Sequence, residues 1–228
     1  MTVQLPENHL GKTRIFHITA LENLPSILET GYLYATNHIP CDHCSIANEE
    51  VQRTRASKPV PLPPHGVIHD YVPFYFAPRS PMLYVNHKGS IQNARPQEEI
   101  VHLVTTAQII EKAELPFVFY DRHAVKALAQ PYNDLEHLNK IDWELFFEPP
   151  PGNGGYAAYW HDNPNGSNPK WIGRKEVRQA EFLVHKQLPW QLIAGIATID
   201  KDKAEQVEAI LKRYKQKTQV VVKREWYY

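Results

Sequence analysis

The sequence predicts an α+β fold, one domain over residues 1–228, and three observations predict it. Strand-like and helix-like segments are mixed without the regular alternation that builds a doubly wound sheet. At 228 residues, 43% hydrophobic, the chain is long enough for one full core and too short for two large ones. No Gly-x-Gly-x-x-Gly turn follows a strand and no Gly-x-x-x-x-Gly-Lys-[Ser/Thr] loop occurs, so neither a dinucleotide-binding sheet nor a P-loop organises the chain.

Taken in order, "RIFHIT" (14–19) reads as a strand. In "ENLPSILETG", Asn23 is placed to cap, Pro25 falls in the first turn, Leu24, Ile27 and Leu28 form one apolar face, and Gly31 stops the helix. "SIANEEVQRTRAS" (45–57) reads as a polar helix with Ser45 as cap and Arg53 and Arg55 near its end. The proline-rich "KPVPLPPHG" is a rigid connector. It leads into "HDYVPFYFAPRSPMLY" (69–84), crowded with aromatic rings and holding Pro73, Pro78 and Pro81. Val72 to Phe76 suits a buried strand, but three prolines remove donors and force turns, so the run is a strand ending in a shaped loop. "EIVHLVTT" (99–106) and "PFVFY" (116–120) are strand-like around a short helix "AQIIEKA", and "NDLEHLNKIDWELFF" (133–147) has helical spacing at Leu135, Leu138, Ile141 and Leu145. Residues 148–176 form a long loop rich in turn residues, the kind that is usually functional or disordered. "QAEFLVHKQLP" (179–189), "LIAGIATI", a helix over 202–216 and a closing strand "TQVVVKREW" complete the chain.

Lys plus Arg equals Asp plus Glu at 25 each, so no global field draws the protein to nucleic acid, although a local basic face remains compatible with zero net charge. The N-terminal stretch has no apolar signal region, and no run approaches the roughly 20 apolar residues of a membrane span; a soluble, cytoplasmic protein is expected. Cys41 and Cys44, in "CDHC" with His43 between and His38 nearby, invite a zinc reading. A structural site needs a second ligand pair at matching spacing, none follows, and no metal is expected.

Three positions are candidates for chemistry: His17 on the first strand, Arg55 at the end of the polar helix, and Glu181 opening the strand after the long loop. Singly, each has a bland alternative: a hydrogen-bonded core histidine, a solvated arginine, a surface glutamate. Gln179 and Glu181, two apart on a strand, share a face beside the loop and so are placed to grip a ligand. His123, beside Asp121 in "YDRHAV", is a further acid–base candidate. No Gly-x-Ser-x-Gly elbow or His-Glu-x-x-His helix appears.

The runs "FHITALENLPSILETG", "VQRTRA", "HDYVPFYFAPRSPMLY", "VFYDRHA", "RQAEFLV" and the terminal "EWYY" together resemble the DarT family of DNA ADP-ribosyltransferase toxins, in the family's order and over nearly the whole chain from His17. "VQRTRA" departs by carrying Thr54 where the family tends to have a second Arg. That leaves Arg53 or Arg55 as the functional arginine, with Arg55 preferred by its position relative to Val51 and Val60. The resemblance implies an ADP-ribosyltransferase-like fold, two small antiparallel sheets forming an NAD cleft with peripheral helices. It also implies transfer of ADP-ribose from NAD onto a base, thymine, of single-stranded DNA. On that resemblance Glu181, Arg55 and His123 are catalytic. His17, Thr19, Asn23, Arg55, Tyr71, Phe74 and Tyr75 hold NAD, and Arg53, Arg79, Tyr156, Tyr159 and Trp160 meet the DNA. A monomer opposed by a macrodomain antitoxin is the implied setting. The competing expectations are an inactive NAD- or nucleic-acid-binding module that kept the fold, and a protein-directed transferase, since the Gln-x-Glu spacing of "QAE" also resembles toxins that modify proteins.

Overall fold

The computed structural model describes residues 12–40, 42–147 and 172–228. In chain order the elements are β1 (Arg14–Ala20), α1 (Leu24–Thr30), β2 (Tyr32–Tyr34), α2 (Glu49–Ser57), β3 (Tyr71–Tyr75), α3 (Pro81–His87), β4 (Ile100–Thr106), α4 (Ala107–Lys112), β5 (Phe117–Tyr120), β6 (Pro131–Tyr132), α5 (Trp143–Phe147), α6 (Arg174–Val177), β7 (Glu181–His185), β8 (Gln187–Pro189), β9 (Gly195–Thr198), α7 (Lys201–Arg213) and β10 (Gln219–Val222). Eight strands form one sheet in the order β10-β9-β4-β1-β3-β7-β5-β6, and β2 pairs with β8 in a two-stranded sheet. Every ladder is antiparallel except β9–β10. The α+β class holds, but the expected two small sheets are corrected to one large mixed sheet and a small one.

The correction has a physical basis at the middle of the large sheet. β1 pairs with β4 along seven residues and β3 with β7 along five, whereas β1 and β3 share a single registered pair, Phe16 opposite Tyr75. Two four-stranded halves are thus joined by a narrow seam that opens beyond Tyr75. Pro73 lies on the open stretch of β3, and its carbonyl accepts a 2.8 Å hydrogen bond from His17 Nδ1. A strand residue turns its N and its carbonyl to the same edge, so the donor that Pro73 lacks would face the gap, where no ladder needs it. A proline is thereby tolerated inside a central strand.

The two sides of β3 and β7 differ. Val72, Phe74, Phe76, Phe182 and Val184 enter the main core, with Phe182 stacked on Phe117 at a 4.8 Å centroid distance. Tyr71, Leu183, Val118 and Tyr120 turn to the other side and pack with Val60 and Ile68. That second side carries the register Tyr75 opposite Glu181 and Glu181 opposite Tyr120.

Local signals explain most boundaries. Gly31 ends α1 in the left-handed region at φ 76°, its N–H bonded to Ile27 O at 3.0 Å. Asn23 does not cap α1; its side chain instead bonds Thr19 Oγ1 and both backbone groups of Cys44. The cap of α2 is Asn48, whose Oδ1 accepts from Glu50 and Val51 N–H, and not Ser45, which lies a turn too early. The predicted helix over 133–147 is two pieces, a 3₁₀ stretch Leu135–Lys140 and α5, because Asp134 and Asp142 each cap a separate start. The run 69–84 ends in an unforeseen helix, α3, which Ser80 caps and Pro81 opens. Of the predicted loop 148–176, residues 174–176 belong to the single turn α6, which ends at Val177, and 148–171 lie outside the described residues.

Candidate active site

The cleft opens at the seam between the two halves of the large sheet and holds about 440 Å³. Its walls come from β1 (His17, Thr19), residues 39, 40 and 43–48, α2 (Val51, Gln52, Arg55), His69 and β3 (Tyr71, Pro73, Tyr75), with His123 and Gln179 at one end. Asn23 fixes the wall made by 43–48: its amide donates to Cys44 O at 2.9 Å and its oxygen accepts from Cys44 N at 2.8 Å. The same amide ties that wall to Thr19 on β1.

Glu181 stands behind the end wall, 2% exposed. Arg55 Nη1 donates to its Oε2 at 2.6 Å and the Ala124 N–H to its Oε1 at 3.2 Å. Burial alone would push the Glu181 carboxyl up; the Arg55 charge and the hydrogen bonds from Arg55 and Ala124 overcome it, with a further contribution from His123 only where that ring is protonated, and hold the group below its ordinary value. Glu181 is therefore an anion at neutral pH. Arg55 is itself buried, 6% exposed, and its Nη2 has no partner among the described residues. One nitrogen of the guanidinium neutralises Glu181, while the other is buried without a partner among the described residues, on a side chain that lines the cleft.

His123 Nδ1 lies 3.4 Å from Glu181 Oε1, an ion-pair distance, yet the same nitrogen accepts the Val125 N–H at 3.3 Å. Burial outweighs the attraction of Glu181 and lowers the His123 pKa. The neutral ring with its proton on Nε2 is the form consistent with both facts, so the 3.4 Å approach is proximity and not a hydrogen bond. His17 behaves likewise: burial lowers it to about 4 against the raising effect of Pro73. A carbonyl only accepts, so Nδ1 carries the proton and Nε2 presents a lone pair at the cleft. Tyr75 and Tyr120 flank Glu181 from the neighbouring strands, and burial together with the Glu181 charge raises both phenols, Tyr120 to about 12.

Of the residues singled out in the sequence, Glu181, Arg55 and His123 come together, and His17, Thr19, Asn23, Tyr71 and Tyr75 line the same cleft. Phe74 does not: it is 0% exposed in the main core, on the opposite side of β3 from Tyr75, since successive strand residues alternate. The Tyr71 hydroxyl is committed to His65 O at 2.6 Å, leaving ring surface to the cleft. Arg53 is exposed on α2 and Arg79 donates to Tyr227 O at 3.2 Å; neither lines the cleft. Tyr156, Tyr159 and Trp160 lie outside the described residues, as does Cys41. Among the described residues no group of three or more His, Cys, Asp or Glu is placed to hold a metal. Sequence reasoning missed Gln52 and His69, which line the cleft and bond each other at 2.8 Å. Gln52 had a signal, three residues before Arg55 on one helical face; His69 had none beyond its place in the aromatic run.

Comparison with known proteins accords with this geometry. The DarT profile, described as ssDNA thymidine ADP-ribosyltransferase, matches residues 16–228. A DNA ADP-ribosyl transferase of Thermus sp. strain 2.9 is 44% identical over 218 residues, covering 95% of this chain and 96% of that protein. A solved structure of Thermus sp. 2.9 DarT with ADP-ribosylated single-stranded DNA superposes at TM-score 0.85 with 42% identity, covering both chains fully. A second, with NAD+, superposes at TM-score 0.81 with 41% identity over 99% of this chain and all of that one. Match over nearly the full length, in sequence and in fold alike, places the chain in the DarT family of single-stranded DNA thymidine ADP-ribosyltransferases.

Proposed function

We propose that the chain, acting as one domain, transfers ADP-ribose from NAD to a thymine of single-stranded DNA. The observation that carries this is the buried Arg55–Glu181 pair, with Arg55 and His123 lining the end of the cleft and Glu181 directly behind them, opposite a wall that presents the His17 lone pair. NAD fits that cleft chemically: a ribose hydroxyl has an acceptor in His17 Nε2, Tyr71 and Tyr75 offer ring surface, and the volume is that of a small-molecule site.

Cleavage of the bond between ribose C1′ and the nicotinamide nitrogen leaves positive charge on the sugar while the bonding pair departs with nicotinamide. The Glu181 anion opposes that charge and its hydrogen bond to the neighbouring ribose hydroxyl strengthens as charge develops, as in glycoside hydrolysis. In thymine N1 bears the deoxyribose, so the ring nitrogen left to attack C1′ is N3, and its proton must go to an acceptor. Glu181 takes it. Pairing with Arg55 weakens this carboxylate as a base, so the guanidinium acts best by shifting toward a carbonyl oxygen of the base, which acidifies N3–H and frees Glu181 at once. His123 positions the acceptor from the far side of Glu181. Arg53, Arg79 and Tyr156, Tyr159 and Trp160 are proposed to hold flanking nucleotides.

No described helix is long and apolar enough to cross a membrane; we place the activity in the cytoplasm, as a monomer, opposed by a macrodomain antitoxin that removes the ADP-ribosyl group. The test is incubation of the purified chain with adenylate-labelled NAD and either single-stranded DNA or a protein mixture. Label on the thymine-containing strand is expected. Label on protein alone, or NAD binding with no transfer, would replace this reading by a protein-directed transferase or an inactive binding module.

A further inference from the structure

We infer that Gln52 reads the acceptor base, its amide Nε2 donating to an exocyclic oxygen of thymine; this deepens, and rests on, the reading of the cleft as a DNA ADP-ribosyltransferase site. Gln52 precedes Arg55 by three residues on α2, so both side chains leave one face of the helix, and both line the cleft. Gln52 Oε1 lies 2.8 Å from His69 Nε2, whereas Gln52 Nε2 makes no hydrogen bond among the described residues. His69 is 8% exposed, and burial together with the Arg55 charge lowers its pKa, so the ring is neutral at neutral pH and carries one proton. An amide oxygen only accepts, which puts that proton on Nε2. His69 thereby holds the amide oxygen and leaves the NH₂ group to the cleft.

The consequence is a pattern. Arg55 Nη2, buried and without a partner among the described residues, is one donor. Glu181 is an acceptor, and the Gln52 amide is a second donor. Thymine presents on its pairing edge an acceptor at O2, a donor at N3–H and an acceptor at O4, which donor, acceptor and donor complement. Cytosine presents an acceptor at N3 and a donor at its amino group, opposing two of the three. Guanine presents two adjacent donors and opposes one. Glu181 and Arg55 alone do not separate thymine from guanine; the second donor does, because a donor that faces a donor once the base covers it is left unsatisfied.

The experiment measures labelling of an oligonucleotide bearing one thymine, and of the same strand with 2-thiothymine or 4-thiothymine, by the parent protein and by Gln52→Leu and His69→Ala. Each sulfur weakens one exocyclic acceptor. Gln52→Leu should lower kcat/KM for DNA roughly ten- to a hundredfold, the scale of one base-edge contact, with KM for NAD unmoved. The parent should lose rate on one of the two analogues, and Gln52→Leu should lose little or nothing further on that same analogue, the signature of a direct contact in a double-perturbation cycle. His69→Ala should show the same split at smaller size. Equal analogue penalties in parent and variant, or a rise in KM for NAD matching the fall in DNA labelling, would overturn the assignment while leaving the transferase reading intact. A parent protein that labels no thymine strand at all would overturn both.

Discussion

Replacing Glu181 by Gln keeps size and removes charge, and the surroundings dictate how the amide must sit. Its oxygen has to take the Arg55 Nη1 donor that now comes to Oε2 at 2.6 Å, which leaves the NH₂ facing the Ala124 N–H and His123 Nδ1. The NH₂ can donate to Nδ1, but the Ala124 N–H loses its acceptor in a site 2% exposed. One orphaned buried donor, with a charge-assisted bond made neutral on one side, costs about 1–3 kcal/mol. In a domain of this size that lowers Tm by about 2–12 °C, leaving a folded protein at assay temperature. Transfer should fall far more. The negative charge opposite the sugar cation is lost along with the proton acceptor for N3–H, and one such electrostatic contact is worth on the order of a hundred- to a thousandfold. NAD affinity should hold, because the ground-state contacts at His17 are untouched and an interaction stronger in the transition state sets rate and not binding. Isothermal titration with NAD and labelling of single-stranded DNA, run on the same folded sample, decide the matter. Labelling within tenfold of the parent would remove Glu181 from the chemistry.

The two arginines of α2 should separate cleanly: Arg53→Ala, at an exposed position, should change stability by no more than about 0.5 kcal/mol, while Arg55→Ala strands the buried Glu181 charge, costs on the order of 3–5 kcal/mol and abolishes labelling. Chemical denaturation and DNA labelling of both variants check this, and comparable losses would contradict it. Single-stranded DNA should be labelled and a perfect duplex of the same sequence should not, because N3 lies on the pairing edge and is reachable only in an unpaired or flipped base; equal labelling would refute the N3 assignment. Phe74→Ala should cost about 3–5 kcal/mol with NAD affinity unchanged, as a core ring and not a stacking platform would; weakened NAD binding in the folded variant would restore it to the site. His102, fully buried and lowered to about 4, is protonated in the unfolded chain before the folded one, so its contribution is complete above about pH 6.5 and is lost as pH falls toward 4. That is roughly 3 kcal/mol over the interval; urea midpoints from pH 7 to 4 should fall less steeply in His102→Gln, and parallel slopes would refute the linkage.

Much of the candidate site could be read in the sequence because it depends on residues whose types are costly to place anywhere else. A Glu two residues after a Gln at the start of an apolar strand, and an Arg in the last turn of a helix, have few structural excuses once both prove to be buried. Much of the surrounding fold was equally visible, since β1, α1, β4, α4, β5 and α7 have clear periodicity and punctuation. What stayed hidden was relational. Nothing local says that Phe74 and Tyr75 of one strand face a core and a cleft respectively until the register with Phe182 and Glu181 is known. The sheet count failed for the same reason: the halves join through one pair, Phe16 and Tyr75, and a one-pair seam leaves no mark on periodicity. Ser80–Pro81 did announce α3, but the surrounding prolines read more strongly as loop.

The seam also explains why the site is where it is. A closed ladder between β1 and β3 would satisfy every backbone group and leave no cleft; opening it exposes polar edges that need other partners. His17 supplies one of them, and in doing so fixes its own tautomer and turns Nε2 outward. Pro73 removes another by having no N–H. The Arg55–Glu181 pair at the end of the gap is a poor source of stability, since two desolvated charges seldom gain more than well-packed apolar side chains of the same volume would. Arg55 moreover keeps Nη2 buried and unsatisfied among the described residues, a cost that apolar packing would avoid. On the proposed reading, a pair that stabilises so inefficiently, set where the sheet has been opened and where an anion is held below its ordinary pKa, is accounted for by the charge it delivers to a ligand and not by the fold it helps to hold.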